Sequence, residues 1–254
     1  MSVVVAAAIL LLVAVGVAWA RERRLRRRLR GALDTATREL ERLQAAFSRF
    51  APSAVVDRIA AGDKAPDAAR KDVTILFADL VGSSALAERT DPAVLVDVLN
   101  DYFARASRVL VAHHGHVSKF IGDGLLALFG AHEGNPWQAN DAADAALAMR
   151  AELASLNREL ASRGFTPLAV GIGIHRGPVI AGVIGNDYLT EFTVIGSAVN
   201  LAARVEHLTR QHGVDILVTA EMRDCLDPRF VLREMPATEV RGFREPVVTY
   251  ALEG

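Results

Sequence analysis

Two aspartates sit where this chain has the means to handle a charged substrate. Asp79 closes an apolar run, residues 73–78, and is followed by Leu80-Val81-Gly82-Ser83-Ser84. An acid at a strand end, ahead of a small-residue turn into a helix, can hold a cation, and the amides of such a turn can hold phosphate. Asp123 lies at the tip of Gly122-Asp123-Gly124, between two short apolar runs. Carboxylates on adjacent strand ends could share a divalent metal with a triphosphate, because magnesium takes oxygen ligands and retains water. Each Asp alone also reads as an ordinary turn residue. Further on, Asn200 and Arg204 are four residues apart, which puts them on one face of a helix. Alone they read as a helix cap and a solvated charge.

The elements that must position these residues alternate. The run 73–78 is a buried strand by its continuous apolar character. Asp91-Pro92 opens a helix with apolar residues at helical spacing from Val94 to Phe103, ending near Gly115. Residues 117–121 and 125–129 form a hairpin about Gly122-Asp123-Gly124. A long Ala-rich helix covers 140–163. A second hairpin-like pair, 168–174 and 179–184, precedes a helix over 199–208 and a strand over 216–218. Residues 230–252 read mostly as strands. This order predicts an α+β fold with a largely antiparallel sheet flanked by helices, not a doubly wound parallel one.

The amino terminus has another character. Residues 2–20 contain no charge and, as a helix, span about 28 Å, close to the hydrocarbon thickness. Trp19 stands where an interfacial aromatic is expected, and residues 21–30 hold seven Arg and one Glu. The expectation is a single-pass anchor in the cell membrane with the remainder cytoplasmic. A cleaved signal peptide would carry its positive charge before the apolar run. The Arg run is a topology signal with some attraction for anionic lipid. Leu33, Leu40 and Phe47, with Ala36, Leu43 and Phe50, make a short heptad seam, which reads as a coiled coil within residues 21–62 or as an amphipathic helix on its own domain. Residues 63–70 read as a linker and 71–254 as the catalytic domain. The net charge of −1 argues against a nucleic-acid partner. The single cysteine, Cys225, excludes an internal disulfide and reads as a small buried residue. His113, His114 and His116 lack zinc spacing and read as a solvated loop.

Three segments taken together carry a family resemblance. Val73-Thr74-Ile75-Leu76-Phe77-Ala78-Asp79, Lys119-Phe120-Ile121-Gly122-Asp123-Gly124, and the run from Phe192-Thr193-Val194-Ile195-Gly196 through Asn200 to Arg204 resemble the class III nucleotidyl cyclases. The resemblance implies a ferredoxin-like core and two Mg²⁺ or Mn²⁺ ions per site, held by Asp79 and Asp123. It implies that Lys119 and Thr193 read adenine, that Asn200 orients the ribose, and that Arg204 stabilises the pentavalent phosphorane. Arg241 matches a position that contacts the terminal phosphates. Lys119 favours ATP over GTP, since a lysine donates to adenine N1 and a guanylate cyclase of the family carries Glu there. The family builds each site across a head-to-tail dimer, so a complete set in one chain implies a homodimer with two sites.

There are departures. Residues 187–191, shortly before Phe192-Thr193, offer no basic residue where the family often has one, Ser197 stands where Asp is frequent, and Ser83 stands where Phe is frequent. The alternatives are a catalytically degenerate nucleotide-binding sensor and a guanylate cyclase. A diguanylate cyclase would carry a Gly-Gly-(Asp/Glu)-Glu-Phe hairpin, which is missing here. A regulatory membrane protein or lipid is a further partner compatible with the anchor.

Overall fold

Strand β1 (Ala69–Val81) organises the sheet, and its side chains alternate between two faces. Leu76, Ala78 and Leu80 join one core cluster, while Phe77 and Asp79 point the other way. The computed structural model describes residues 19, 21, 31, 33, 35–39, 42, 68–132, 134–185 and 190–254. It divides into two units, Met1–Lys64 and Ala65–Gly254. In the first, the described residues are helical, and the Thr35 hydroxyl donates to the Gly31 carbonyl at 2.8 Å. Leu33 is exposed. The apolar stretch 2–18, the seam residues Leu40, Leu43, Phe47 and Phe50, and the linker up to residue 67 lie outside the described residues. Among the described residues no helix is long and apolar enough to cross a membrane.

The second unit is the expected mixed α+β fold. Besides β1, its strands are β2 (His116–Ile121), β3 (Gly124–Phe129), β4 (Ala169–Gly185), β5 (Thr190–Ile195), β6 (Ile216–Thr219), β7 (Leu232–Glu234) and β8 (Thr249–Leu252). Among the described residues the sheet runs β2-β3-β1-β4-β6-β8-β7, with β5 paired to β4. Neighbours are antiparallel except β4 and β6.

Helix α1 (Ser83–Arg89) follows β1. Helix α2 (Pro92–Ala112) starts where the sequence placed it, with the Asp91 carboxylate accepting from the Ala93 amide at 2.9 Å. It packs with α3 (Gln138–Ser162) on the β1 face that carries Leu76, Ala78 and Leu80. The Ala-rich stripe of α3, including Ala139, Ala142, Ala143 and Ala146, is fully buried there. Helix α4 (Ser197–His212) lies on the opposite face, where Leu201, Val205 and Leu208 meet Leu217, Met235 and Ala251. A short α5 (Ala220–Arg223) follows β6.

Several expectations need correction. The hairpin expected over 168–184 is one continuous strand, β4. At residues 177–179 β4 pairs only with β1, so the missing amide hydrogen of Pro178 falls at an unpaired edge and breaks nothing. The true hairpin partner is β5, which pairs from Ile180↔Ile195 to Gly185↔Thr190. Strand β1 takes in Ala69 and Arg70, read as linker. Residues 230–252 hold only β7, β8 and an isolated Thr238↔Val247 bridge. Cys225 is exposed, because the turn after α5 carries it away from the core.

Two glycines seat α4. Gly171 and Gly173 lie on the β4 face beneath it, and a Cβ at Gly173 would collide with the backbone of Glu206. Gly173→Ala is therefore expected to lower stability by about 1–3 kcal/mol, the usual range for overpacking. Chemical denaturation measures this, and an unchanged midpoint would contradict the close seating.

Candidate active site

Asp79 stands between two glycines in the sheet. On β4 its register partner is Gly171. On β3 the next residue past the Ala78↔Leu125 pair is Gly124. A Cβ on Gly124 would come within 2.8 Å of Asp79 Oδ1. The bare flanks leave the carboxylate room for ligands. Asp123 occupies the neighbouring β2–β3 turn, which Gly122 permits with φ +62°. Asp123 Oδ2 is buried with no hydrogen-bond partner among the described residues. The structure thus brings together the two acids that the sequence singled out.

Their environment includes three groups that sequence reasoning passed over. Arg210, in the last turn of α4, donates to Asp79 Oδ2 at 2.5 Å. Its guanidinium also lies 3.5 Å from Glu206 Oε1. Glu206 is buried over Gly171, whose absent Cβ would come within 2.7 Å of Glu206 Oε1. Burial pushes the Glu206 carboxyl up, against the pull of Arg210 and His207. The Tyr102 hydroxyl on α2 is buried without a hydrogen-bond partner among the described residues. Burial, then the charges of Asp79, Asp123 and Glu206, push its ionisation up, so it stays neutral. An Arg and a Glu four apart on a helix ordinarily read as a surface pair, and only the Gly-x-Gly stretch of β4 hints that this one is packed down.

The acid pair fits a divalent cation such as Mg²⁺ or Mn²⁺. It offers hard oxygen donors, one of them buried and unpartnered, and a guanidinium already stands on another. Among the described residues no group of three or more His, Cys, Asp or Glu could hold a metal ion. The two carboxylates would leave the remaining positions to water and substrate, as magnesium accepts.

Lys119 reaches this side of the sheet through an irregularity. The β2–β3 register shifts between Val117 and Lys119, leaving Ser118 as the extra residue. Lys119 consequently pairs with Leu126, which in turn pairs with Phe77, so Lys119 shares the face of Asp79. Regular alternation would have turned it toward α2, where Phe120 instead packs on Phe103 with ring centroids 4.3 Å apart. Lys119 Nζ lies 2.6 Å from Glu191 Oε1 on β5. Thr193 is two residues further on the same face of β5. Lys119 and Thr193 therefore belong to one neighbourhood, with Glu191 as a member the sequence did not flag.

The remaining residues stand apart. Asn200 and Arg204 occupy the exposed face of α4, and among the described residues neither side chain has a hydrogen-bond or ion-pair partner. Arg241 is exposed in the loop before β8. The segment 186–189, which bears on the missing basic residue, lies outside the described residues.

The histidines are not all a solvated loop. His114 is exposed and lies 3.3 Å from Asp141 Oδ2. His116 packs edge-on against His132 at 4.7 Å, and His132 lies 4.2 Å from the Phe192 ring, next to Thr193. Burial, with His132 adding to it, lowers His116 to about 4 from 6.5. Burial also lowers His175, which hydrogen-bonds Thr219 Oγ1 at 2.9 Å. The unfolded chain takes up the His116 proton below 6.5 while the folded chain resists it, so this contribution to stability is full above 6.5 and is lost as pH falls toward about 4. The thermal midpoint is expected to fall over that interval, and to fall less steeply in His116→Gln. Parallel declines in the two proteins would contradict the burial of a neutral ring.

The family model for the Adenylate and Guanylate cyclase catalytic domain matches residues 66–254. An adenylate cyclase of Anabaena cylindrica is 34% identical over 233 residues, 87% of this chain and 45% of its own length. A terminal-differentiation-specific adenylate cyclase of Dictyostelium discoideum is 30% identical over 222 residues, 85% of this chain and 10% of its own. The chain thus spans less than half the length of either relative. Among solved structures, the adenylyl cyclase CyaB from P. aeruginosa superposes with a TM-score of 0.70 at 29% identity, over 74% of this chain and 97% of that one. The guanylyl cyclase Cya2 superposes with the same TM-score at 32% identity, over 74% and 94%.

Proposed function

The chain belongs to the adenylate and guanylate cyclase catalytic domain family, and we propose that it converts ATP to 3′,5′-cyclic AMP and diphosphate at a site shared by two copies. In this reaction the ribose 3′-oxygen bonds to the α-phosphorus, the bond to the diphosphate oxygen breaks, and the hydroxyl proton passes to solvent. Asp79 and Asp123 would hold two Mg²⁺ or Mn²⁺ ions, which would supply the charge to activate the hydroxyl and bind the triphosphate. Arg204 neutralises charge growing on the α-phosphate oxygens, where a fixed guanidinium counts for more in the transition state than before it. Asn200 orients the ribose. Arg241 takes the terminal phosphates.

The observation that carries the reading is the division of the site. One chain gathers Asp79 with Asp123 under the end of α4, yet presents Asn200 and Arg204 on the exposed face of that helix, without partners among the described residues. A second copy placed against this face would complete two equivalent sites, as a closed two-fold dimer does. Exposed Phe120, Ile121, Ile180, Ile184 and Ile195 suit burial by such a copy. ATP is favoured by Lys119, which has donors only, and by the relatives named adenylate cyclase. Glu191 holds that ammonium beside Thr193. GTP is the second reading, motivated by the similarity to the guanylyl cyclase Cya2. Residues 2–20 are proposed to anchor the chain in the cell membrane with residues 71–254 in the cytoplasm.

The test is product formation by the full chain, recovered from the membrane fraction and solubilised, with ATP or GTP and Mn²⁺. Cyclic AMP from ATP is expected, with at least a hundredfold loss in Asp123→Ala, on the scale of losing a group that stabilises charge in the transition state. Cyclic GMP as the main product would establish the guanylate reading. No cyclic nucleotide from a dimeric preparation would favour the degenerate sensor, and recovery of the chain in the soluble fraction would remove the anchor.

A further inference from the structure

The Arg210–Glu206 pair has no part in the reaction as described, yet it stands on a metal ligand. Arg210 donates to Asp79 Oδ2, the kind of oxygen a divalent cation would take. A guanidinium and a dication compete for this carboxylate, because their mutual repulsion at contact is large in a partly buried site. That repulsion favours moving Arg210 off Asp79 when metal arrives, and Glu206 stands within its reach. Glu206 Oε1 lies 3.5 Å from the same guanidinium nitrogen and accepts no hydrogen bond among the described residues. Its other oxygen is taken by His207 Nδ1 at 2.6 Å. Glu206 itself is fixed, because Gly171 and Gly173 allow its backbone and carboxylate to press onto β4. Arg210 has space to move, being partly exposed and lining an open cavity of about 640 Å³ with Val81, Thr209 and Asp215.

We propose that Arg210 is a tethered counter-cation for Asp79, displaced onto Glu206 when a divalent metal binds, so that these two positioning residues set the metal affinity of the site. The proposal rests on the reading of Asp79 and Asp123 as metal ligands. It makes opposite demands on the two residues. Removing Arg210 removes a competitor, whereas removing the Glu206 charge leaves the displaced guanidinium with no partner beside a dication. A structural role alone would weaken binding in both cases.

The experiment measures Mn²⁺ affinity of the full chain without nucleotide, by electron paramagnetic resonance of free Mn²⁺ and by calorimetry. The proteins are wild type, Arg210→Met, Arg210→Lys, Glu206→Gln and Asp79→Asn, each checked for a cooperative melt. Arg210→Met is expected to bind Mn²⁺ about two- to fivefold more tightly, the scale of a partly exposed ion pair. Glu206→Gln is expected to bind more weakly by a similar factor, and Arg210→Lys to stay near wild type. The melt gives a second readout, in which Mn²⁺ raises the midpoint of Arg210→Met more than that of the wild type. Unchanged or weaker binding in Arg210→Met, with wild-type binding that Asp79→Asn abolishes, would overturn this proposal and leave the metal site standing. Wild-type Mn²⁺ binding that Asp79→Asn does not alter would overturn both.

Discussion

The register that sets Asp79 opposite Gly171 is the constraint on which the rest of the site depends. A side chain at Gly124 would crowd the Asp79 carboxylate, and one at Gly171 would collide with Glu206 and Thr209 and lift α4 off the sheet. With Gly124 and Gly171 bare, a single carboxylate on an inner strand of the sheet faces Asp123 on one side and the end of α4 on the other. Slippage by one residue would turn Asp79 into the core formed with α2 and α3. The apolar alternation of β1 is what resists that, because Leu76, Ala78 and Leu80 would then face the wrong way.

Helix α4 links the two halves of the chemistry. Its inward face carries Leu201, Val205 and Leu208 into the smaller core and presses Glu206 onto β4. Its outward face carries Asn200 and Arg204. One close helix–sheet contact therefore fixes both the charge balance around Asp79 and the direction in which Asn200 and Arg204 point. The three carboxylates Asp79, Asp123 and Glu206 are tolerable together because Arg210 stands among them and Tyr102 remains neutral behind them.

The sequence made the acids legible because each is marked by glycines and an apolar run, and those marks reflect real backbone requirements. Asn200 and Arg204 were legible as a helical pair. The face of Lys119 was not, since nothing in Val117-Ser118-Lys119-Phe120 announces a bulge, and alternation alone would have sent the lysine inward. Arg210 and Glu206 look like any surface ion pair until β4 is known to lie flush beneath them. The hairpin-like pair divides at residues 175–178, which hold Gly177-Pro178, and only the absence of a second neighbour at that point lets β4 run through. His116 was read as solvated because its burial depends on His132 and Phe192, distant in sequence. The irregular chain over 235–248 is held by tertiary contacts of Met235 and Val240, which periodicity cannot reveal.

The shared site is tested most directly by co-expressing Asp79→Ala and Arg204→Ala chains, each inactive as a homodimer. If the acids of one copy work with the arginine of the other, a mixed dimer keeps one intact site. Activity then returns to about a quarter of wild type, from half the dimers carrying one of two sites. Activity that stays at the sum of the two inactive parents, in a preparation shown to contain mixed dimers, would place the whole site within one chain and contradict the division on which the proposed mechanism stands.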